Sequence, residues 1–392
     1  MINTQKTPTL KRLSILAAGA SVAMISTSAL AVDTTMDSEA GTLSVVTMAE
    51  GLESPWGMEF LPDGSLIVTE KAGTIRMVAA DGTVGEPLTG LPDIDAGGQG
   101  GLLDIALDPT FAENRFVYIT YSQAGEGGNS TAAGRGRLAD DNSGLESFQP
   151  IFTQMPLYEG NKHFGSRIVF GGEGHLFIGL GERSDANIRE GAQDLGTHLG
   201  KVVRINADGS VPEGNPFVGQ DGALPEIWSY GQRNIQGGAV HPETGAIWFS
   251  EHGPKGGDEI NVVEAGKNYG WPVVSYGVNY NGTPVGTGKA TGEGFTQPVH
   301  QWTPVIGAAG MDFYTADLVP AWKGSVFVGG LATENLVRLS LDGTTVTGEE
   351  RLELGARIRD VKQGPDGAIY VLAEDDGEIV RLAPAASAAT SG

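Results

Sequence analysis

Five short clusters in this sequence bring together residue types that chemistry needs. His163-Phe164-Gly165-Ser166-Arg167 sets an imidazole just ahead of the apolar run Ile168-Val169-Phe170. A histidine titrates near neutrality and can take a proton from an alcohol, although a structural loop histidine fits the same local pattern. Ser229-Tyr230-Gly231-Gln232-Arg233-Asn234 puts a fixed cation beside an amide on one turn, and an arginine fork grips carboxylates in bidentate fashion. In Arg357-Ile358-Arg359-Asp360, strand alternation sends both arginines to one face, where two like charges need an anion between them or solvent. Gly97-Gly98-Gln99-Gly100-Gly101 offers one amide side chain in a flexible loop, and a plain tight turn accounts for it equally well.

The fifth cluster runs from Glu251 to Trp271. Glu251, Asp258, Glu259 and Asn261 stand among turn-forming glycines, which is the oxygen-rich setting calcium prefers. The spacing is not that of an EF-hand, and a surface acidic loop is the plain alternative. If the five loops meet at one mouth, they suit a polyanionic, calcium-assisted ligand. Other chemistries lack a seat: the chain has no cysteine, no Gly-x-Ser-x-Gly elbow, no Walker loop and no dinucleotide fingerprint. Without cysteine there is no disulfide scaffold, thiolate metal site or Cys-x-x-Cys-His haem, so any electrons handled must leave to a separate acceptor.

The elements that must position these clusters are strands. Short β-branched and aromatic runs bounded by Gly, Asp, Asn and Pro dominate, and 60 glycines in 392 residues supply the turns. One grammar, a turn followed by an apolar run, recurs six times: at Asp63–Thr69, Asn114–Thr120, Gly174–Leu180, Gly245–Ser250, Gly324–Gly329 and Gly367–Leu372. Six such units, with no linker between Val45 and Leu382, predict an all-β, six-bladed β-propeller over residues 42–384. Its long middle loops would build a site at one end of the axis.

Ahead of it, Lys6, Lys11 and Arg12, an apolar run from Leu13 to Ile25 and the Ala-Leu-Ala at 29–31 read as a cleaved secretory signal peptide over residues 1–31. That places the mature protein in the periplasm or outside the cell, with no membrane insertion. Behind the propeller, the low-complexity tail 385–392 is expected to be disordered. The leader takes three of the 25 basic residues and none of the 48 acidic ones, leaving 22 against 48. So acidic a protein is a poor partner for nucleic acid or anionic membrane.

In these clusters the sequence resembles the soluble pyrroloquinoline quinone (PQQ)-dependent aldose sugar dehydrogenases, the glucose/sorbosone dehydrogenase-like propellers of bacterial periplasms. The resemblance runs from about Leu52 to Leu382. It is carried by Ser54-Pro55-Trp56-Gly57, Leu61-Pro62-Asp63-Gly64, Gly98-Gln99-Gly100-Gly101-Leu102-Leu103-Asp104, His163-Phe164-Gly165-Ser166-Arg167 and Gly200-Lys201-Val202-Val203-Arg204, then by Glu251-His252-Gly253-Pro254, Asn268-Tyr269-Gly270-Trp271-Pro272 and Arg357-Ile358-Arg359-Asp360-Val361.

The resemblance implies PQQ and calcium as cofactors, an aldose as substrate, a lactone as product and an external electron acceptor. It makes His163 the general base that takes the proton of the anomeric hydroxyl as hydride passes to the quinone. It assigns Arg233, Asn234, Arg357 and Arg359 to the cofactor's carboxylates and quinone oxygens, and Gln99, Leu331 and Ala332 to the same pocket. The backbone carbonyls of Gly253 and Pro254 would hold the calcium against the cofactor, with a second calcium at Glu259 and the backbone of Tyr269.

Two departures stand out. Gln232 replaces a histidine common before the arginine, but the arginine and the amide survive, so cofactor capture should too; Ala332 stands where some relatives place a lysine against the quinone, which puts cofactor affinity in question. A calcium-dependent propeller lactonase or hydrolase, or a non-catalytic propeller that binds carbohydrate or protein, remains open at this point. Neither explains the paired arginines.

Overall fold

The computed structural model describes residues 34–385, so the leader read at 1–31 and positions 386–392 of the tail lie outside the described residues. Six antiparallel sheets form the blades. Blade one is Pro55–Phe60, Leu66–Glu70, Thr74–Val78 and Val84–Pro87; blade two is Leu102–Leu107, Phe116–Gly125, Gly128–Leu138 and Leu145–Thr153. Blade three is Gly165–Phe170, Leu176–Leu180, Lys201–Ile205 and Ile227–Tyr230; blade four is Ile235–Val240, Ile247–Glu251, Asp258–Val262 and His300–Trp302. Blade five is Ala308–Phe313, Val326–Gly330, Asn335–Asp342 and Thr345–Glu353.

Blade six joins both ends of the chain. Ile358–Gln363, Ile369–Ala373 and Glu378–Pro384 are completed by Gly41–Ala49 and, outermost, by Thr34–Ser38, which lies ahead of residue 42. Leu43 pairs with Pro384 and Val45 with Leu382. This closes the ring in register and removes two strand edges that would otherwise invite pairing with other chains.

All six repeated sequence units are the second strand of a blade. In five of them every residue of the strand is buried, because each is flanked by a strand on either side and covered on both faces by neighbouring blades. A strand buried on both faces reads as a continuous apolar run rather than an alternating one. The core is divided accordingly: six apolar clusters each lie between two successive blades.

The first strands of successive blades pack side by side around the axis. Each carries a register shift against its second strand near its start, in all six blades. Such bulges re-aim side chains, and these lie at Trp56, Asp104, Arg167, Gln236 and Arg359, the residues that converge at the axis. First and second strands run antiparallel, so loops entering first strands and loops leaving second strands share one rim. Gln99, His163, Asn234 and Arg357 come from the former group, and Lys71, Glu182, His252, Leu331 and Glu374 from the latter.

Candidate active site

His163 enters blade three with φ 48°, a left-handed conformation rare for a non-glycine residue. Its surroundings hold it there. Its backbone N–H donates to Gln99 Oε1 at 2.7 Å, and its carbonyl accepts from the Arg183 N–H at 3.3 Å. Gly181 packs so closely that a Cβ there would meet the His163 carbonyl oxygen at 2.0 Å. The ring is buried, and its Nδ1 lies 2.7 Å from Glu182 Oε2.

Glu182 is in turn fixed by the Ser184 N–H at 2.6 Å and by Trp271 Nε1–H at 3.2 Å. Two guanidinium groups lie over the Trp271 ring, Arg189 at 5.6 Å and Arg233 at 5.1 Å from its centroid. Burial lowers the His163 pKa below the ordinary histidine value, against the pull of Glu182. Burial would raise Glu182, but the His163 ring and Arg233 hold its carboxyl below the usual range. An ionised Glu182 accepting Nδ1–H leaves the lone pair of the neutral ring on Nε2, the arrangement of an oriented base.

Beside this dyad lies a cavity of ≈ 190 Å³ lined by residues of all six blades and their rim loops, among them Trp56, Gln99, Asn234, Gln236, His252, Leu331, Arg357, Arg359 and Lys71. Arg359 donates to Gln236 Oε1 at 2.9 Å and to Glu374 Oε2 at 2.8 Å. Arg357 reaches the same Glu374 oxygen at 3.3 Å and the Leu331 carbonyl at 3.0 Å. The anion that the paired arginines require is therefore, in part, the chain's own Glu374. Burial lowers the Arg359 pKa, and Glu374 opposes that shift. His252 is driven down to about 3 by burial and by Arg359 and Arg233, so it is neutral. The buried Arg359 Nε, Arg233 Nε and His252 Nε2 have no partner in the protein, so this wall suits an oxygen-rich anion.

Next to the cavity, Gly253, Pro254, Glu259 and Tyr269 line one small pocket together with Arg233, Glu251 and Trp271. Arg233 Nη1 donates to the carbonyls of His252 at 2.9 Å and Gly253 at 2.7 Å. Asn261 Nδ2 bridges Glu251 at 2.9 Å and Glu259 at 3.3 Å, while Asn261 Oδ1 has no partner. Burial raises Glu251 to about 7; burial and the Glu251 carboxyl raise Glu259 well above the usual range. Two carboxyls, an amide oxygen and nearby carbonyls form a donor set that fits calcium. Among the described residues no three His, Asp or Glu side chains converge as a metal site, so backbone oxygens would have to complete the shell. Asp258 is engaged with the backbone instead, its Oδ1 accepting from the Gly253 N–H and its Oδ2 from the N–H groups of Gly307 and Ala308.

Of the residues singled out in the sequence, the cavity gathers Gln99, Asn234, Leu331, Arg357 and Arg359, and the adjoining pocket gathers Arg233, Gly253, Pro254, Glu259 and Tyr269. Ala332 is exposed and is not part of the cavity wall, where Leu331 stands instead. Thr333 does not replace a lost lysine, since its hydroxyl is engaged with Asn335 Oδ1 at 2.9 Å. The Gln232 departure is harmless to the cavity: its amide turns into blade three and donates to Ser229 Oγ at 2.7 Å. Sequence reasoning missed Lys71, Glu182, His252 and Glu374 as site residues. Each lies one or two positions beyond a buried second strand, and the repeated grammar marks that place.

Fold and site together define a propeller with an oriented base beside a cationic funnel and an oxygen-rich turn. Residues 52–381 match the profile of the Glucose / Sorbosone dehydrogenase family, and the chain belongs to that family and is an oxidoreductase. It is 44% identical over 351 residues to the aldose sugar dehydrogenase YliI of Escherichia coli, covering 88% of this chain and 93% of that protein. The crystal structure of the soluble aldose sugar dehydrogenase of Escherichia coli in its apo form superposes with a TM-score of 0.84 at 42% identity, over 88% of this chain and 100% of that one. The PQQ-bound aldose sugar dehydrogenase of Streptomyces coelicolor gives 0.72 at 30% identity, over 87% and 98%. Among the described residues no helix is long and apolar enough to cross a membrane.

Proposed function

We propose that this protein oxidises aldose sugars at the anomeric carbon to lactones, using PQQ and calcium and passing the electrons to an external acceptor outside the cytoplasm. The observation that carries the reading is the buried His163–Glu182 pair, 2.7 Å apart, beside a cavity walled by Arg357 and Arg359. The PQQ-bound relative supports the choice of quinone.

The residues divide the work. Glu182 fixes the tautomer of His163, so Nε2 accepts the proton of the sugar hydroxyl while the two reactants are held in place. Gln99 sets the backbone of His163. Arg233, Arg357, Arg359 and Asn234 would hold the cofactor's carboxylates and quinone oxygens, since guanidinium groups bind such oxygens through charge-assisted pairs. Carbonyls of Gly253 and Pro254 would hold the calcium against it, and Glu259 with the Tyr269 backbone a second ion. Bound there, the quinone supplies the hydride acceptor and the calcium the Lewis acid that makes it more electrophilic. Trp56 and Phe164 line the cavity with apolar surface and exclude water around the reacting carbon.

The test is reconstitution. Apoprotein given PQQ and calcium should reduce a dye only when an aldose is present, and should release a lactone. Tight PQQ binding with no oxidation across an aldose panel would overturn the assignment.

A further inference from the structure

Lys71 stands where the second strand of blade one, Leu66–Glu70, leaves the sheet at the rim. Its half-buried side chain lines the same ≈ 190 Å³ cavity as Gln99, Asn234, Arg357 and Arg359. Its ammonium donates to the Gly98 carbonyl at 3.0 Å, a neutral partner rather than a carboxylate. The cavity lining thus presents three cations, Lys71, Arg357 and Arg359, against one carboxylate, Glu374, although Arg357 also pairs with Asp375 at 3.5 Å. Across the funnel the fifth blade offers only Leu331, because Ala332 is exposed and the Thr333 hydroxyl is engaged.

We propose that Lys71 binds a carboxylate of the quinone, so that the first blade supplies the cation that some relatives carry at the position of Ala332. The inference rests on the quinone reading above. An ammonium on a four-carbon stem swivels easily, and exchanging a carbonyl for a carboxylate makes a shorter and stronger bond. The carbonyl it leaves lies in the exposed Gly97–Gly98 turn, where water can take the place of the ammonium. The same tether joins Lys71 to the loop that carries Gln99, so a purely structural role must be separated from a charge role.

Apoprotein in calcium buffer is titrated with PQQ, and binding is followed by quenching of tryptophan fluorescence, since Trp56 lines the cavity. No turnover is needed for this readout. Lys71→Met should weaken PQQ roughly 10- to 100-fold, the worth of one charge-assisted hydrogen bond, and the loss should shrink with added salt. Lys71→Arg should bind within about threefold of the natural protein, by the same charge argument. Lys323→Met, which removes a surface ammonium paired with Asp317, should change nothing. Unchanged affinity in Lys71→Met, or a loss confined to turnover at saturation, overturns the proposal and leaves Lys71 a loop tether. If the natural protein itself binds no PQQ, the functional reading falls with it, and the two failures are thereby distinguished.

Discussion

On the wall built around blade three, His163, Glu182 and Trp271 hand their polar atoms to one another, and Gln99 and Ser184 complete the set. On the wall formed by blades four and six, Arg233, His252 and Arg359 each keep a buried nitrogen with no protein partner. The proton-handling side is finished by the chain, which suits a base that must be aimed before the substrate arrives. The anion-handling side is left unsaturated, and an unpaired buried polar group costs about 1–3 kcal/mol. On the proposed reading, an oxygen-rich ligand that supplies the missing partners would recover part of that cost.

Breaking the finished wall should give the largest effect. His163→Ala should lower kcat by about 10²–10⁴-fold, the usual worth of a positioned base, with PQQ affinity within a few-fold of natural; steady-state kinetics at saturating cofactor alongside a binding titration read both. The reverse pattern would move His163 to the cofactor side. Breaking the unsaturated wall should act on binding: Arg359→Ala should weaken PQQ by roughly 10- to 100-fold, one charged hydrogen bond's worth, and affinity equal to the natural protein's would remove Arg359 from the site.

A third change sharpens the finished wall through pH. His163 is lowered by burial, and its neutral form is the base. Activity is therefore present above that depressed pKa and lost as pH falls through it, so the acid limb of kcat should lie below 6.5. Glu182→Gln removes the carboxylate that opposes burial, and should shift that limb further to acid while lowering kcat about 10-fold. A limb that stays put would mean that Glu182 serves packing alone. The smallest effect is expected from Trp271→Phe, which keeps an aromatic ring under Arg189 and Arg233 but removes the N–H to Glu182. A two- to fivefold fall in kcat with normal PQQ affinity is expected, about 0.5–1 kcal/mol for a neutral donor; an affinity loss would tie Trp271 to the other wall instead.

The blades were legible because each second strand, covered on both faces, must be written as an apolar run between turns. His163, Arg233, Arg357 and Arg359 were legible through the motifs the sequence shares with the aldose sugar dehydrogenases, since by local pattern alone a structural loop histidine fits His163 as well. Glu182 and Glu374 were not, since an acidic residue after a strand looks like any solvated turn until its partner is known. Nor was the company of Asp258 legible: its carboxylate, suited to calcium by type, accepts from three backbone N–H groups. Ala332, read as a threat to cofactor affinity, is exposed and off the cavity wall, and Gln232, read as leaving cofactor capture intact, turns into blade three, because one residue along a strand end changes which face a side chain occupies.

The sequence by itself determined the number of blades and the kinds of charge at the rim, because periodic burial and residue chemistry are local properties. Only the tertiary structure decided which charges meet. Glu182 reaches His163 across 19 positions and Glu374 reaches Arg359 across 15, and Arg359 meets Gln236 across 123. Such encounters depend on how six bulged strands are turned toward one axis, and register and curvature of that kind are set by packing between blades rather than by any residue's own preference.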